Sequence, residues 1–514
     1  MGEMLNRKRN QVRKYACLIF FSSIGYNLFG YEQVAKRIAN IRLTICEAYP
    51  QIGKKLYGEE SRRMMIRKEK IMQNDLFEKA PVHKAYFSFA LPVVFSMVIS
   101  LIYNMADTYF IAGTGNTNLV AGVSLGTPIF TLMIALGDIF GLGGSSVISR
   151  LFGQKKDDDG KRLSVFCFYG AIVCGVIVAV LMMTFRAPIL QLLGADTDTV
   201  MYASQYYTWL VLGAPFIILV YTPSNLLRTE GFAVGSMTGT VLGAVVNIIL
   251  DPIFISVLGM GAAGAAIATV IGNICTDIFY IIFLLTKSKR LSMNLKGFHI
   301  SGKELEDIFA IGIPASVTNF MQSFGIALMN RFLLVYGNEK VAAMGIVMKI
   351  NMIAMLILVG FAFGSQPLIG YNYGAGNKKR LREILAFSYK FECAAGAVLA
   401  VILCLVVKPL ISAFMDDSAI VSTGVPMLRL QLLGAVFTAV TLVSTCTFQS
   451  AGKALNAFIL SVSRQGVIFA VVIFILSKTV GYYGVLSAQP VSDFITAVVA
   501  IVLVRSSVYR EIRE

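Results

Sequence analysis

Residues 232–276 read FAVGSMTGTVLGAVVNIILDPIFISVLGMGAAGAAIATVIGNICT and contain a single charged side chain, that of Asp251. A bilayer crossing takes about 20 apolar residues, so this stretch is long enough for two consecutive spans. Backbone groups in hydrocarbon must bond within the protein, which leaves helices or a closed barrel, and the stretch lacks the alternation of barrel strands. It therefore predicts a pair of transmembrane helices.

The whole chain shares this apolar character. Of its 514 residues 56% are hydrophobic and 14% are charged, with a mean hydropathy of +0.71, whereas about a quarter of the residues of a soluble domain are charged. Hydrophobic segments and turn clusters alternate along the chain, and the predicted spans are residues 84–112, 119–149, 163–186, 200–223, 233–257, 262–286, 308–335, 341–370, 383–407, 424–448, 455–478 and 482–505. We therefore predict an all-α polytopic membrane protein with twelve transmembrane helices.

The loops between the predicted spans differ in charge. With the N-terminus inside, alternate loops collect basic residues, whereas the opposite loops hold isolated cations such as Arg186, Lys408 and Lys478. The basic residues of the first set are Arg150, Lys155, Lys156, Lys161, Arg162, Lys287, Lys289, Arg290, Lys296, Lys303, Lys378, Lys379, Arg380 and Arg382. Cytoplasmic loops carry such an excess of Lys and Arg. The pattern predicts a multi-pass protein of a bacterial inner membrane with both termini in the cytoplasm.

The chain contains an internal repeat. The recurring motifs are Leu91-Pro92 as Ile313-Pro314, residues 148–153 as 369–374, Leu212-Gly213-Ala214 as Leu433-Gly434-Ala435, Gly231 as Gly452, and Gly261-x-x-Gly264 as Gly481-x-x-Gly484. The shift in residue number is nearly the same for all five motifs, which indicates a duplicated six-helix unit. Because six spans return the chain to the same side, the halves are predicted to be parallel repeats. Transporters that rock two such halves around a central cavity have this form.

The duplication predicts the domain boundaries. The predicted domains are a basic N-terminal extension at 1–79, an N-lobe of six helices at 80–290, a cytoplasmic inter-lobe loop at 291–307, a C-lobe of six helices at 308–505 and a cytoplasmic tail at 506–514. Two interpretations of the extension stay open: an amphipathic segment, or a stretch upstream of a true start at Met64 or Met72. Lys and Arg far outnumber Asp and Glu in the extension, but no nucleic-acid-binding module accompanies this charge, so nucleic-acid binding is not predicted.

Acidic residues inside the predicted N-lobe spans are the first candidates for chemistry. An ionised carboxylate at membrane depth is costly, so such a residue is a functional-site hypothesis by default. Asp107 lies late in span 1, and Asp251 lies in span 5 four residues after Asn247, on the same helix face. Such a pair of acids can exchange protons, and sodium is the alternative ion. The competing interpretation is structural: Asp107 marks the aqueous end of span 1, and Asp251 caps a helix break ahead of Pro252.

The remaining features predict no further chemistry. The other charges within the spans, to which no role is assigned, are Asp138, Asp277, Arg331, Lys349, Lys390, Glu392 and Arg429. The eight cysteines are dispersed and lack neighbouring histidines, so we predict neither disulfides nor a metal site. Residues 259–264, GMGAAG, match a dinucleotide fingerprint, but between two spans they predict a tight turn. The chain is predicted not to be an enzyme and to need no cofactor.

Several motifs taken together resemble the multidrug and toxic compound extrusion (MATE) family, and its prokaryotic branch in particular. They extend over residues 80–505 and are Leu91-Pro92 followed by Asp107-Thr108, Gly143-Gly144-Ser145-Ser146-x-x-Ser149-Arg150, Leu227-Arg228-x-x-Gly231 and Asn247-x-x-x-Asp251-Pro252. The resemblance implies twelve helices in two lobes that form a V. It also implies export of amphiphilic cations coupled to inward flow of protons or sodium.

The resemblance also implies which residues act. Those that it assigns to the proton or sodium coupling site of the N-lobe are Asp107, Asn247, Asp251 and Thr269. Tyr103 is implied as a neighbour of this site, and Pro92 as a bending point in span 1. One branch of the family has a Glu in span 7 that helps to bind sodium, where this chain has Gln322. That difference favours protons.

The predicted function is a secondary active multidrug efflux antiporter. It is expected to work as a monomer in the lipid bilayer and to exchange small organic cations for protons or sodium by alternating access. The alternative in the same architecture is a flippase for lipid-linked oligosaccharides, which uses a basic cavity, and Arg331, Lys349 and Arg429 keep that alternative open. A receptor or scaffold without transport is a third hypothesis, which the paired buried acids disfavour.

Overall fold

The computed structural model describes residues 75–296, 299–415 and 417–513. Most of the predicted N-terminal extension, with both interpretations of it, therefore lies outside the described residues. Over the described ranges the chain is helical and contains no strand, as the uncharged runs predict. The predicted all-α class is confirmed.

Twelve long helical segments follow one another in the described part of the chain. They are α1 Val82–Ala112, α2 Thr117–Gly153, α3 Asp157–Thr184, α4 Val200–Leu212 with Ala214–Thr229, α5 Ala233–Val257, α6 Gly261–Lys287, α7 Gly302–Leu334, α8 Asn338–Gly374, α9 Lys378–Leu405, α10 Ser418–Leu432 with Ala435–Ala451, α11 Ala454–Thr479 and α12 Tyr482–Ile512. Short helices, Arg186–Leu192 and Val407–Phe414, precede α4 and α10. The order of six segments per half agrees with the duplication.

Several segments are interrupted rather than straight. Short breaks divide α2 into Thr117–Ser124 and Thr127–Gly153, and α8 into Asn338–Gly364 and Gln366–Gly374. The π-helical turns are Ile253–Val257 at the end of α5, Ser463–Val467 within α11 and Arg505–Tyr509 near the end of α12. Turns of this kind often mark functional or strained positions in a helix.

Eleven of the twelve segments qualify as membrane spans by length and apolar composition. Nine qualify alone, and α4 and α10 qualify if each bent pair counts as one span. The exception is α7, whose 33 residues are long enough but include several polar side chains. Two of these side chains contact neighbouring helices: Thr318 Oγ1 lies 2.9 Å from Ser461 Oγ on α11, and Asn319 Nδ2 donates to Asp138 Oδ2 on α2 at 3.5 Å. Others, such as Gln322, are exposed.

The bends in α4 and α10 occur at equivalent places in the two halves. α4 bends by 51° at Gly213, and α10 bends by 43° around Gly434. Neighbours approach both glycines closely: a Cβ on Gly213 would lie 2.2 Å from Val270, and one on Gly434 would lie 2.8 Å from the Asp493 carboxylate. A larger residue would push the packed helices apart, so the glycine preserves both the bend and the contact.

The buried apolar side chains form one large cluster and two smaller ones. The large cluster is built mainly around N-lobe side chains such as Phe168, Tyr207 and Tyr280, but it also includes C-lobe side chains such as Tyr371. A separate cluster within the second half includes Met344 and Phe469. The C-lobe thus has a core of its own, whereas the N-lobe core continues into the contact between the lobes.

The lobes approach each other closely at the end that carries residues 154–156 and 375–377. There α2 packs against α7, and α1 against α8, through glycines. Cβ atoms built on Gly143 and Gly364 would lie 2.4 Å from the Ile308 carbonyl oxygen and from Ala90 Cα, respectively. Backbone contact of this kind leaves no room for a side chain, so these glycines set the distance between the lobes.

Candidate functional site

The packing of α5 against α1 and α6 brings the predicted coupling residues together. α5 contacts both helices, and it meets α6 through Gly243 and Gly272. A Cβ on Gly243 would lie 2.0 Å from Thr276 Oγ1, and one on Gly272 would lie 2.8 Å from the Gly243 carbonyl oxygen. This close backbone contact lets short polar side chains on the two helices reach each other.

Three of the predicted residues form a hydrogen-bonded group. Asn247 Nδ2 donates to Asp251 Oδ1 at 3.2 Å and to Thr269 Oγ1 at 3.5 Å. Asp251 is fully buried, and Asn247 and Thr269 are nearly so. The spacing of four residues on α5 produces the first bond, as the sequence predicts, whereas the second bond depends on how α5 and α6 pack.

Asp107 on α1 completes the group. Its carboxylate lies close enough to that of Asp251 for the two negative charges to repel each other. The side-chain oxygens of the group that lack a hydrogen-bond partner among the described residues are Asp107 Oδ1, Asn247 Oδ1 and Asp251 Oδ2. Buried polar atoms are normally paired, and two neighbouring carboxylates in a low-dielectric site favour a bound proton or another cation. The donor set therefore fits a small cation.

The hydrogen-bond pattern of α5 changes next to the acid. Pro252 is the last α-helical residue of α5, and the π-helical turn Ile253–Val257 follows it directly. Proline cannot donate the backbone bond that an α-helix would need here. Asp251 thus lies next to the point where the α-helix changes to a π-helical turn.

Two tyrosines lie beside the acids. Tyr103, predicted as a neighbour, lies within electrostatic range of both Asp107 and Asp251. Tyr206 on α4 lies within range of the same two carboxylates, and the sequence analysis did not select it. A hydroxyl-bearing aromatic residue in span 4 was the available signal, but nothing in the sequence indicates which face of α4 turns to α1.

The other predicted site residues lie apart from this group. Pro92 is buried within α1, which continues through it as one helix, so its bending role stays a prediction. Gln322 is exposed on α7, in the other lobe. The structure brings Asp107, Asn247 and Asp251 together with their neighbours but does not bring Gln322 to them.

The charges without a predicted role separate into exposed and enclosed ones. The exposed residues are Arg331, Lys349, Lys390 and Arg429. Asp277 and Glu392 are buried, and Asp138 is partly buried in contact with Asn319. The four exposed cations form no ion pair among the described residues.

The C-lobe contains an ion pair that was not predicted from the sequence. Arg464, in the π-helical turn of α11, donates from Nε to Asp493 Oδ1 on α12 at 2.9 Å. Thr438 Oγ1 donates to Asp493 Oδ2 at 3.1 Å, and Gln489 Nε2 donates to Asp493 Oδ1 at 3.1 Å. Charged residues within predicted spans 11 and 12 were the signal for this pair. Its carboxylate oxygens are satisfied, unlike those of the N-lobe group.

No group of three or more His, Cys, Asp or Glu side chains in the described ranges could hold a metal ion. The oxygens of the N-lobe group are instead a mixture of carboxylate, amide and hydroxyl atoms. Such a set suits a proton or a monovalent cation better than a transition metal, which prefers nitrogen or sulfur ligands.

Comparison with known proteins identifies the family. The MatE family model matches residues 92–253 and again residues 314–475, so it matches each half once and over an equal length. The multidrug export protein MepA of Staphylococcus saprophyticus is 32% identical over 428 residues, which cover 83% of this chain and 94% of that protein. MepA of Staphylococcus aureus strain N315 matches at the same identity and coverage.

A solved structure agrees with these matches. It is described as the outward-facing conformation of a multidrug resistance MATE family transporter of the MOP superfamily. It superposes with a TM-score of 0.81 and 26% identity, over 86% of this chain and 98% of that one. The family model, the relatives and the fold agree, and the chain belongs to the multidrug and toxic compound extrusion (MatE) family of membrane transporters.

Proposed function

We propose that this transporter exports amphiphilic organic cations in exchange for protons, by alternating access across a bacterial cell membrane. The relatives at 32% identity are named multidrug export proteins, and the family match covers both lobes. These similarities support multidrug export. The coupling ion, the cationic substrates, the monomeric state and the cytoplasmic position of both termini belong to the proposal.

The observation that carries the proposal is the pair of acids in the N-lobe. Asp107 and Asp251 repel each other, and each has an oxygen without a partner among the described residues. The like charges and the apolar surroundings both favour binding of a positive charge. A proton needs only one oxygen, whereas sodium would need several of the oxygens of this group. We therefore favour protons and keep sodium as the alternative.

The positions of the two acids support an order of events. Asp107 is partly exposed on α1, whereas Asp251 is fully buried on α5. A proton that arrives from outside would meet Asp107 first and would then be shared with Asp251. Its charge would replace that of a bound organic cation, because the acids cannot neutralise both. Release of the cation outward and of the proton inward completes one exchange.

Coupling also requires that the two conformations hold the proton differently, because equal affinity would shift no equilibrium. Asn247 links Asp251 to Thr269 on α6, and Asp107 on α1 lies within electrostatic range of Asp251, so both neighbours can provide such a difference. Movement of α1 against α5 changes the distance between the two carboxylates, and with it their repulsion. We therefore propose that the position of α1 sets the proton affinity of the pair of acids.

The test is efflux of a fluorescent organic cation from cells that express the chain, with the proton and sodium gradients collapsed separately by ionophores. We expect efflux to stop when the proton gradient is lost and to continue without a sodium gradient. The opposite result would assign the coupling to sodium. No export under any gradient would overturn the proposal in favour of the lipid-linked oligosaccharide flippase.

Substitutions test the site itself. Asp107→Asn and Asp251→Asn should reduce efflux to the level of cells without the transporter, because the amides cannot take up a proton. Asp277→Asn is the matched control. Asp277 is also a buried acid of the N-lobe, on α6, but neither Asp107 nor Asp251 affects its charge. It should leave efflux near the unsubstituted level. Normal efflux in both site variants, with normal amounts in the membrane, would contradict the assignment.

A further inference from the structure

A second buried acid, Glu392, lies where the two lobes meet. It is fully buried on α9 of the C-lobe. The helices packed against α9 include α8 and α10 of its own lobe and α1 of the N-lobe. Glu392 is therefore the buried acid whose surroundings change when α1 moves against the C-lobe.

Its hydrogen-bond partner among the described residues belongs to the other lobe. Tyr86 on α1 places its Oη 3.2 Å from Glu392 Oε1 and 3.3 Å from the carbonyl oxygen of Phe361 on α8. Glu392 Oε2 has no partner in the described ranges. A single phenol thus connects α1 with two helices of the C-lobe.

The contact between Tyr86 and its two acceptors is short of one proton when Glu392 is ionised. The Tyr86 hydroxyl carries one proton but lies within reach of two acceptor oxygens, one from Glu392 and one from Phe361. With an ionised Glu392 only one of the two bonds can form. With a protonated Glu392, the carboxyl donates to Tyr86 Oη, and Tyr86 donates to the Phe361 carbonyl. The observed arrangement is therefore satisfied by a protonated acid.

The surroundings of the contact are apolar. The Tyr86 ring packs edge-on against Phe387 at 5.2 Å and Phe391 at 5.5 Å between centroids. The titratable groups facing Glu392 are Tyr86 on α1, Cys446 on α10 and Cys393 on α9 itself. Its described partners include neither a lysine nor an arginine. Nothing nearby would compensate an ionised carboxylate while α1 is in place.

We propose that Glu392 is a proton-dependent latch between the lobes: protonated, it holds α1 on the C-lobe through Tyr86, and ionised, it releases α1. An ionised Glu392 must be hydrated, and water reaches it only if α1 separates from α8 and α9. The proton exchanges with the cytoplasm, because the contact lies in the first turns of α1, close to the tightly packed ends of the lobes. This inference rests on the proposed alternating access and on the proposed cytoplasmic position of these helix ends, but not on the ion that drives transport.

The latch has a direct consequence for the transport cycle. A more acidic cytoplasm keeps Glu392 protonated and favours the conformation closed on the cytoplasmic side. A more alkaline cytoplasm favours opening there. The latch thus makes the balance of conformations depend on internal pH, separately from the acids of the N-lobe that carry the coupling ion.

The experiment measures the distance between the lobes rather than transport. Spin labels are introduced through an unnatural amino acid at Lys161 and Lys379, which are exposed on different lobes near the cytoplasmic ends of α3 and α9. The full chain in nanodiscs is examined by pulsed electron paramagnetic resonance from about pH 5 to about pH 9, where buried carboxyl groups are expected to titrate. In the unsubstituted protein we expect a long-distance population that grows as pH rises.

Substitutions test whether Glu392 causes the pH-dependent change in the distance between the lobes. Glu392→Gln keeps a donor toward Tyr86 without a titratable proton, so we expect the long-distance population to grow less with pH than in the unsubstituted protein. Tyr86→Phe removes the contact and should increase the long-distance population at low pH. Asp277→Asn, another buried acid but away from the lobe contact, should follow the unsubstituted curve. An unchanged pH response in Glu392→Gln, or no pH response in the unsubstituted protein, would overturn the latch.

The same distance measurement distinguishes a failure of the latch from a failure of the proposed coupling site. Asp107→Asn and Asp251→Asn should retain the pH-dependent distance change, since Glu392 is intact in both. If they retain it but still export the substrate, the proposed coupling site fails and the latch stands. If they abolish it, the pH response belongs to the N-lobe pair and the latch is wrong.

Discussion

The two lobes share a fold but not their polar chemistry. The family-model matches begin at positions 92 and 314, and the same shift pairs Asp107, Asn247 and Asp251 of the N-lobe with Met329, Phe469 and Ile473 of the C-lobe. All three C-lobe residues are fully buried. In the opposite direction, Arg464 corresponds to Leu242, and the motif that pairs Gly261 with Gly481 aligns Asp493 with Asn273. The C-lobe thus has apolar residues where the N-lobe has its two acids, and the N-lobe has no ion pair where the C-lobe has one.

The two polar groups also differ in how well they are satisfied. In the C-lobe the Asp493 oxygens accept bonds from Arg464, Thr438 and Gln489. In the N-lobe, oxygens of Asp107 and Asp251 have no partner among the described residues. A satisfied buried pair holds helices in place, whereas an unsatisfied one is available to bind something. The difference favours a structural role for the C-lobe group and supports the ion-binding role that we propose for the N-lobe group.

What the duplication did preserve is the contact between the lobes. The repeated motif at residues 148–153 and 369–374 aligns Gly153 of α2 with Gly374 of α8, and the same alignment places Gly143 opposite Gly364. A Cβ atom built on any of these four glycines would lie within 2.4 Å of an atom of the opposite lobe. The repeats thus kept the surfaces that let the lobes close and diverged in their interiors.

The largest expected effect comes from making the N-lobe resemble the C-lobe at the coupling site. Asp251→Val replaces the acid with an aliphatic side chain, smaller than Ile473 so that it fits. We expect efflux to fall to background, because the proposed proton site is lost. Thermal stability in detergent should stay equal or rise, by about 1 to 3 kcal/mol, since a poorly satisfied buried polar group is removed. A stable variant that still exports the dye would contradict the comparison.

The next effect concerns the C-lobe pair. Arg464→Met leaves Asp493 buried without its cation and should destabilise the protein by about 3 to 5 kcal/mol. The double variant Arg464→Met with Asp493→Leu should recover most of that stability, because a buried pair is often replaceable by apolar residues. Thermal unfolding of the three proteins measures this.

The double variant also tests the functional side of the comparison. A structural pair predicts that efflux driven by the proton gradient survives in the stable double variant. Loss of efflux without loss of stability would instead give the C-lobe group a part in transport.

A smaller effect is expected at the lobe contact. Gly143→Ala and Gly364→Ala should each cost about 1 to 3 kcal/mol by overpacking the closed ends. The two costs should be similar if the contact is truly duplicated. Gly345→Ala on α8 is the control, because its Cβ would meet nothing within 4 Å. It should be neutral or slightly stabilising, and unequal costs at Gly143 and Gly364 would argue against equivalent contacts.

The smallest expected effect is on stability and concerns the turn at Lys155, where the two halves have different residues. Lys155 has φ of 63°, and Gly376, its counterpart in the alignment of the same repeated motif, has φ of 65°. A non-glycine residue in this left-handed conformation costs about 1 to 2 kcal/mol. Lys155 gains contacts in return: its ammonium donates to Glu78 and to Tyr371 Oη. Lys155→Gly should therefore change stability by less than about 1 kcal/mol, because exposed ion pairs contribute little.

The ion pair between Lys155 and Glu78 in this turn also provides a control for the latch experiment. Burial alone would raise the pKa of Glu78, but the bonds from Lys155 and Tyr371 outweigh it and hold this pKa below its ordinary value. Burial opposes the charge of Lys155, yet its bonds to Glu78 and Tyr371 raise its pKa. The contribution of Glu78 is lost only as pH falls through its lowered value, and that of Lys155 only as pH rises through its raised value. Between these limits the ion pair is constant, so Lys155→Gly should not alter the pH response of the lobe distance.

Much of the fold was predictable from local pattern. The uncharged runs, the basic loops and the repeated motifs predicted the all-α class, two six-helix halves and their order, because hydrophobic length and charge asymmetry are one-dimensional signals. Helix ends were less accurate: α3 begins at Asp157 rather than at residue 163, and α10 begins at Ser418 rather than at 424. The first turn of α3 is acidic and lies outside the apolar window, whereas α10 begins directly after Asp417, whose side chain accepts bonds from the Ala419 and Ile420 amides.

The candidate site was predictable only in part. Asn247 and Asp251 share a helix face by their spacing, and the structure shows the bond between them. The sequence could not select Tyr206 or the pair of Arg464 and Asp493, because these depend on how separate helices turn toward each other. The roles of the coupling residues stay predictions.

The membrane environment, the duplication and the short list of acids within apolar spans can be read from the chain alone. Which of those acids share a site, which have partners and which lie between the lobes depends on how the helices pack. Glu392 illustrates the division: its burial cost is readable from an apolar span, but its partner Tyr86 lies in the other half of the chain. Hydrophobic length is a local property of the chain, whereas hydrogen-bond satisfaction is a property of packed surfaces.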